Sequence, residues 1–192
     1  DFSSPDRFWI NDGRGRFRAV PRLAVRHTSR SSMGIDFADI NRDGHDDMLV
    51  LDMLARQQAR RLVHLDKEKP IPIVIGKFDD RPRYNRNALL VSRGDGTWLE
   101  AANYAGLEAS DWSWAAAFMD VDLDGLEDVL ITNGFSFDTL DIDSKNRVMD
   151  IQNARKLPTA ELKRLRKHRP LWPSANAAFR NLGGLKFAPA SS

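Results

Sequence analysis

The chain has 192 residues, of which 42% are hydrophobic and 29% charged, and its formal net charge is +2. This composition is sufficient for a packed core and excludes a broadly disordered chain. The absence of cysteine excludes disulfides, a haem attachment motif and a thiolate zinc site, and no apolar run approaches the roughly 18 residues of a membrane span.

The chain repeats itself at an offset of 81 residues, in two separate blocks. The first block pairs residues 8–17 with 89–98, and the second pairs 37–50 with 118–131. A third, weaker copy of the first block covers 179–187. Because one offset serves both blocks, the sequence indicates a structural repeat.

Each block is typical of a β-hairpin, in which short apolar runs flank a turn that contains glycine. In chain order, the predicted strands cover residues 8–11 and 16–20, then 33–38, 48–52, 88–92 and 97–101, and finally 113–119, 128–133, 177–181 and 185–189. Four antiparallel strands per repeat are typical of a propeller blade.

We therefore predict an all-β fold within one partial domain of residues 1–192. It is a β-propeller fragment with two four-stranded antiparallel blades, at about 33–101 and 113–189, and a preceding half blade. Since propellers typically have four to eight blades, we expect the remaining blades to come from the same longer chain.

An acidic loop joins the first two strands of each predicted blade. Both loops follow the pattern Asp-x-Asn/Asp-x-Asp-Gly-x-x-Asp, which places oxygen ligands at positions 1, 3, 5 and 9 and a backbone carbonyl at position 7. Such a set suits Ca²⁺, which takes six to eight oxygens, better than Mg²⁺. The predicted calcium ligands are Asp39, Asn41, Asp43, His45 and Asp47 in the first loop, and Asp120, Asp122, Asp124, Leu126 and Asp128 in the second.

These loops admit two other interpretations. An EF-hand needs a glutamate at position 12 between two helices, whereas Val50 and Ile131 occupy that position within apolar strands. A solvated acidic turn is the simpler alternative, since Asp-Gly is common in hairpins. Two copies in register with the repeat favour the metal site.

Long segments, 53–87 and 134–176, are inserted between the second and third strands of the two blades. The first holds nine Lys or Arg against four Asp or Glu, and the second nine against five. Helices are predicted over 53–66 and 160–168. The insertions are expected on the face opposite the acidic loops, as solvated helices or as a basic surface for a protein or an acidic glycan. The candidate ligand-binding residues are Arg56, Arg60, Arg61, Lys163, Arg164 and Lys167. Aromatic interleaving of the kind that stacks bases is absent, so nucleic acid is not expected.

Two smaller features leave alternatives open. Trp112 and Trp114 could stack on a sugar, although alternation with Ala116 and Phe118 predicts that at least Trp114 lies in the blade core. An acidic group in the second insertion could form an extra cation site, although acidic loop residues are usually solvated; its members are Asp138, Asp141 and Asp143.

The segments 34–44 and 111–125, with Ile131-Thr132-Asn133-Gly134, resemble FG-GAP/VCBS repeats, the integrin α-chain type of propeller. The hairpin 87–98 is similar to a recurrent element of bacterial relatives of cartilage acidic protein. The resemblance covers about 1–52, 84–135 and 174–190. It implies Ca²⁺ in the acidic loops, a role in adhesion, ligand binding or scaffolding, and an extracellular, periplasmic or cell-surface location.

No catalytic motif is present: the chain lacks a nucleophile elbow, a phosphate-binding Gly-rich loop and an HExxH motif. We therefore expect a non-catalytic, calcium-stabilised binding or adhesion module of a larger exported protein. The alternative is the propeller portion of a polysaccharide-active or lyase-type enzyme, with catalytic groups elsewhere or on the basic insertions. Convergence of Arg, His and acidic side chains from both insertions in one cleft would favour the enzyme, and a flat, dispersed basic face would favour binding.

Overall fold

The computed structural model describes residues 6–64, 81, 83–155, 161, 164–165 and 169–190. The strands are β1 (Trp9–Asn11), β2 (Phe17–Ala19), β3 (Thr28–Ser29), β4 (Ile35–Ala38), β5 (Asp47–Val50), β6 (Arg83–Tyr84), β7 (Ala88–Ser92), β8 (Trp98–Glu100), β9 (Ser113–Met119), β10 (Asp128–Asn133), β11 (Ala177–Asn181) and β12 (Phe187–Pro189). The helices are a 3₁₀ turn (Arg22–Ala24), α1 (Gln58–Val63), α2 (Ala102–Ala105) and α3 (Ile142–Arg155).

Two four-stranded antiparallel sheets form the body of the molecule. The first has the order β4-β5-β7-β8, and the second is the meander β9-β10-β11-β12. The hairpin β1-β2 stands before them as a separate two-stranded sheet. This architecture confirms the predicted all-β, propeller-like fragment; the described strands form open sheets and no closed ring.

The main core lies between the two four-stranded sheets. Alternate residues of each sheet point into it, as period-2 side-chain alternation requires, and Leu49 and Leu89 from the first sheet meet Val129 and Ile131 from the second. All four side chains are at most 1% exposed. Burial of side chains of this size stabilises the fold by about 1.5–3 kcal/mol each.

Strands β4 and β9, the first strand of each four-stranded sheet, approach each other closely. A Cβ on Gly34 would lie 2.6 Å from the Trp114 carbonyl oxygen, so only glycine permits this separation. The Phe118 amide also donates to Asp36 Oδ2 at 2.7 Å. The inner edges of the two blades are therefore fixed relative to each other by backbone contact as well as by the core.

The opposite face of the first sheet packs on the N-terminal segment. Val25, Met48, Val50 and Leu90 form a second cluster, and Phe8 meets it with its ring 5.0 Å from that of Trp98. A short parallel pair, β3-β6, lies beside this cluster. The sequence did not predict this pair, because it joins segments 55 residues apart.

A third cluster lies at the ends of the sheets where the insertions leave them. Met53, Ala55, Trp112 and Trp172 are buried there. Trp112 is 8% exposed and Trp114 is 43% exposed, so the prediction that Trp114 lies in the blade core is wrong. A register shift at Thr132/Asn133 in the β9-β10 pairing interrupts the alternation next to Trp114.

The insertions are only partly as predicted. The first helix covers Gln58–Val63, and residues 53–57 are not helical because Met53 and Ala55 are drawn into the third cluster. Helix α3 was not predicted. The helix predicted over 160–168 lies largely outside the described residues. No helix in the described part of the chain has both the length and the apolar character to cross a bilayer.

Candidate metal centre

The two acidic loops share one backbone shape. Position 4 has a left-handed φ in both, 62° at Arg42 and 59° at Leu123, and position 6 is a glycine with φ of 86° at Gly44 and 89° at Gly125. A left-handed conformation costs a non-glycine residue about 1–2 kcal/mol. Because the same strained conformation occurs at the same position of both loops, the repeat extends to the backbone of each turn.

The aspartate at position 1 organises each turn. In the first loop Asp39 accepts from the amides of Asp43 at 2.9 Å and Gly44 at 2.8 Å. In the second, Asp120 accepts from the amides at the same positions, at 3.0 and 2.9 Å. The carboxylate at position 1 thus stabilises each turn by accepting two hydrogen bonds from the loop backbone.

The second loop gathers three carboxylates. Asp120, Asp122 and Asp124 each offer an oxygen, and these oxygens all lie within 4.8 Å of one another. Asp124 Oδ1 also accepts from the Leu126 amide at 2.9 Å. Like charges this close destabilise the ionised forms unless a cation lies among them.

The first loop is less acidic and is arranged differently. Its position 3 is Asn41, whose amide nitrogen donates to Asp43 Oδ2 at 2.9 Å, while Asp43 Oδ1 accepts from the His45 amide at 2.9 Å. Among the described residues, this loop has no set of three acidic oxygens as compact as that of the second.

Position 9 is buried in both loops and tied to the third strand of its blade. Asp47 is 0% exposed and accepts from the Ser92 amide at 2.7 Å. Asp128 is 6% exposed and accepts from the Asn181 amide at 2.8 Å. The second oxygen of Asp128 accepts from the Val121 amide at 3.3 Å. These two predicted ligands therefore also close the loop against the sheet.

The second oxygen of Asp47 is buried and has no hydrogen bond within normal geometry to any residue that the structure describes. Burial, followed by the charges of Asp43 and Asp39, raises the pKa of Asp47 to about 6, against the lowering effect of the Ser92 amide and, more weakly, of the nearby Ile40 amide. Buried polar atoms nearly always have a partner. An oxygen without a donor, beside two further carboxylates, fits a bound cation, and the all-oxygen donor set suits a hard ion such as Ca²⁺.

The remaining predicted ligands are the carbonyls of His45 and Leu126 at position 7. Both residues lie in turns beside the glycine hairpin of the same blade. The His45 ring lies 2.7 Å from where a Cβ on Gly94 would stand, and a Leu126 methyl lies 3.9 Å from that of Gly183. The acidic loops and the glycine turns thus lie on one face, as the strand order predicts.

The two loops are in contact with each other, which the sequence did not indicate. Arg42 of the first loop donates to the Gly125 carbonyl and lies 3.2 Å from Glu127 Oε1 in the second. Asn181 Nδ2 donates to the carbonyls of Ile40 at 3.4 Å and Glu127 at 3.1 Å. Two side chains therefore bridge the loops.

The predicted basic surface is partly used for internal contacts. Arg60 pairs with Asp138 at 2.9 Å, and Arg61 donates to the Ala55 carbonyl at 2.6 Å and pairs with Glu108 at 3.4 Å. Arg56 and Arg164 are exposed, and Lys163 and Lys167 lie outside the described residues. Two of the four candidate cations that the structure describes are thus engaged in internal contacts.

Side chains from both insertions converge at Asp138, which is 1% exposed. His64 Nε2 lies 2.8 Å from Asp138 Oδ2, and its ring centroid lies 4.7 Å from that of Trp172. Burial alone would raise the pKa of Asp138, but the hydrogen bond and charge of His64, together with Arg60, outweigh it and hold that pKa below its usual value. His64 Nδ1 is buried and has no hydrogen-bond partner in the part of the chain that the structure describes.

The extra cation site considered for the second insertion does not form. Asp138 is taken by Arg60 and His64, and Asp141 Oδ1 accepts from the Ser144 amide at 2.6 Å at the start of α3. Among the described residues, the cluster of three acidic groups at metal-binding spacing is the one in the second loop.

The two sheets and their repeated acidic loops define a propeller-type repeat module. The model of the FG-GAP-like repeat family matches residues 1–50 and 73–131, more than half of the chain. The chain belongs to the FG-GAP-like repeat family, which confirms the predicted resemblance. Neither the comparison with curated proteins nor that with solved structures gave a significant match, so the finer resemblance to relatives of cartilage acidic protein has no support.

Proposed function

We propose that this chain is a calcium-binding propeller module. Each loop would hold one ion through the side chains at positions 1, 3, 5 and 9 and the carbonyl at position 7. The ion would supply the positive charge that the clustered carboxylates lack, and it would hold the turn in its left-handed conformation.

The observation that carries this proposal is the buried oxygen of Asp47 that has no hydrogen bond within normal geometry among the described residues. Its strand neighbour Ser92 satisfies the other oxygen, and Asp39 and Asp43 add negative charge from the open side. A neutral residue at this position would cost less free energy than a buried carboxylate, unless a bound cation balances the charge of that carboxylate. The compact carboxylates of Asp120, Asp122 and Asp124 support the same role for the second loop.

The test is calorimetric titration of Ca²⁺ into the metal-stripped chain, with thermal unfolding in calcium and in chelator. Two sites are expected, with dissociation constants on the order of 10⁻⁴–10⁻³ M or tighter, and a higher melting temperature in calcium. Asp43→Ala with Asp124→Ala removes both sites. Asp95→Ala is the matched control, because Asp95 caps an exposed turn of the same blade outside the loops. A folded chain that binds no Ca²⁺ at millimolar concentration contradicts the proposal.

We further propose a non-catalytic role in binding, adhesion or scaffolding within an exported, extracellular, periplasmic or cell-surface protein. A groove of about 260 Å³ beside the first sheet, lined by Phe8, Met33, Ile35 and Leu90 among others, supports a packing surface for further blades of the same longer chain. Ile35 is 49% exposed there, and a covered blade face would bury it. A longer chain that includes those blades should protect the amide of Ile35 from hydrogen exchange; unchanged exchange contradicts this assignment.

A protein or an acidic glycan is the ligand class proposed for the insertion face. Arg56 and Arg164 are the exposed cations that favour it. Binding of a sulfated polysaccharide to the calcium-loaded chain should weaken with salt and with Arg56→Gln plus Arg164→Gln. Equal binding by the variant contradicts this ligand class.

The convergence of Arg60, His64 and Asp138 favours a second candidate, the propeller portion of a polysaccharide-active or lyase-type enzyme. Asp138 Oδ2 lies 2.8 Å from His64 Nε2 and fixes the imidazole, and catalysis by Nδ1 would require the insertions to open, because Nδ1 is buried. Eliminative cleavage of acidic polysaccharides, followed by ultraviolet absorbance, tests it. Activity that is lost in His64→Gln and kept in the exposed variant Arg18→Gln supports the enzyme; no activity in the parent contradicts it.

A further inference from the structure

The two loops differ in what neutralises their carboxylates. Arg180, on the third strand of the second blade, has its Nη2 2.7 Å from Asp122 Oδ2 and 3.4 Å from Asp124 Oδ2. These are two of the three acidic side chains that lie within 4.8 Å of one another. A guanidinium therefore contacts oxygens that a metal ion would use.

The first loop has no counterpart of Arg180. Asn181 and Ser92 are equivalent, since each donates its amide to the aspartate at position 9. The residue before Ser92 is Val91, which is 5% exposed and lies in the main core. No ion pair to the carboxylates of the first loop occurs among the residues that the structure describes.

This difference matches the difference in loop charge. At position 3 the second loop has Asp122, where the first has the neutral Asn41. The second loop thus carries one more carboxylate, and Arg180 pairs with that carboxylate at 2.7 Å. Arg180 is 54% exposed, so its attraction is screened by water and salt and it can be displaced.

We propose that Arg180 is an internal counter-cation of the second loop, which competes with the divalent ion there and lowers the affinity of that loop for it. Without metal, Arg180 offsets the repulsion between Asp122 and Asp124. When a metal ion binds, the guanidinium must leave these oxygens and also experiences repulsion from the ion. The inference rests on the proposed calcium function and adds the residue that sets the affinity of one of the two loops.

The experiment uses the full chain with Asp43→Ala, which disables the first loop, and titrates Ca²⁺ by calorimetry with and without Arg180→Gln. The variant should bind about 1.5- to 5-fold more tightly, the range of an exposed ion pair, and the difference should shrink in about 0.5 M salt. Arg180→Lys should stay close to the parent. Arg18→Gln is the matched control, because it removes the same charge from an exposed strand, β2, that belongs to neither loop.

A second measurement separates this inference from the calcium function. In chelator, Arg180→Gln should lower the melting temperature of the otherwise unchanged chain, and calcium should restore it. Equal or weaker Ca²⁺ affinity in Arg180→Gln overturns the counter-cation and leaves the calcium site standing. If neither the parent nor the Arg180→Gln variant binds Ca²⁺, both the counter-cation and the calcium function are overturned. If Asp43→Ala does not fold, a two-site titration of the otherwise unchanged chain gives the same comparison.

Discussion

Replacement of Asp47 by asparagine separates the free-energy cost of the buried carboxylate from its proposed role as a calcium ligand. The side chain is fully buried, and its pKa is raised from 3.8 to about 6. Two units at about 1.4 kcal/mol each correspond to about 3 kcal/mol that the ionised form costs the metal-free fold at neutral pH. Asparagine keeps the shape and keeps an oxygen that accepts from the Ser92 amide. Asp47→Asn should therefore stabilise the metal-free chain by up to about 3 kcal/mol.

The sign of the pH dependence follows from the same shift. The pKa of Asp47 is higher in the folded chain than in the unfolded chain, so folding takes up a proton, and the free energy of unfolding rises as pH falls from about 7 through 6 toward 4. The gain from Asp47→Asn should shrink over that range. In calcium this advantage should shrink by up to about 1.4 kcal/mol, because the variant lacks a charged ligand and should bind Ca²⁺ weaker by on the order of tenfold.

Urea unfolding in chelator and in calcium, at about pH 7.5 and pH 5, measures these free energies. Ser92→Ala is the control, because it keeps the amide that Asp47 accepts from. A metal-free Asp47→Asn chain that is less stable than the parent at pH 7.5 refutes the reasoning. Equal stabilisation of the parent and the variant by calcium refutes the role of this oxygen as a ligand.

Three further predictions concern the loop backbone, the core and the insertion face. Gly125→Ala places a Cβ at a φ of 89°; it should lower the free energy of unfolding by about 1–2 kcal/mol and weaken calcium binding at the second loop only, as two-site calorimetry would reveal. Leu89→Ala, at 0% exposure, should cost about 2–5 kcal/mol in urea unfolding without changing calcium affinity. Because the pKa of Asp138 is held low, its contribution to stability is present above pH 4 and is lost as pH falls further. Asp138→Asn should therefore destabilise the chain at neutral pH and reduce the fall in melting temperature below pH 4. An unchanged fall in melting temperature would contradict the contacts of Asp138 with Arg60 and His64.

Local features of the sequence determined the strands and the turn shape. The predicted strands 88–92, 113–119, 128–133 and 177–181 have the observed bounds, because each is an apolar run that ends at a Gly-rich or acidic turn. Hairpin pairing joins neighbouring segments, so the 81-residue offset also identified the equivalent strands of the two sheets.

The contacts between segments were decided only by the tertiary structure. Arg42 and Asn181 bridge the loops across 83 and 141 residues of sequence, and His64 meets Asp138 across 74. In the sequence these residues belong to unremarkable polar stretches, and their partners depend on how the sheets pack. The burial of Trp112 rather than Trp114 has the same origin, since one register shift in β9-β10 outweighs the alternation of the strand. Local pattern thus determined the blades and the composition of the acidic loops, whereas packing between the blades decided which charges meet and which buried oxygen has no donor.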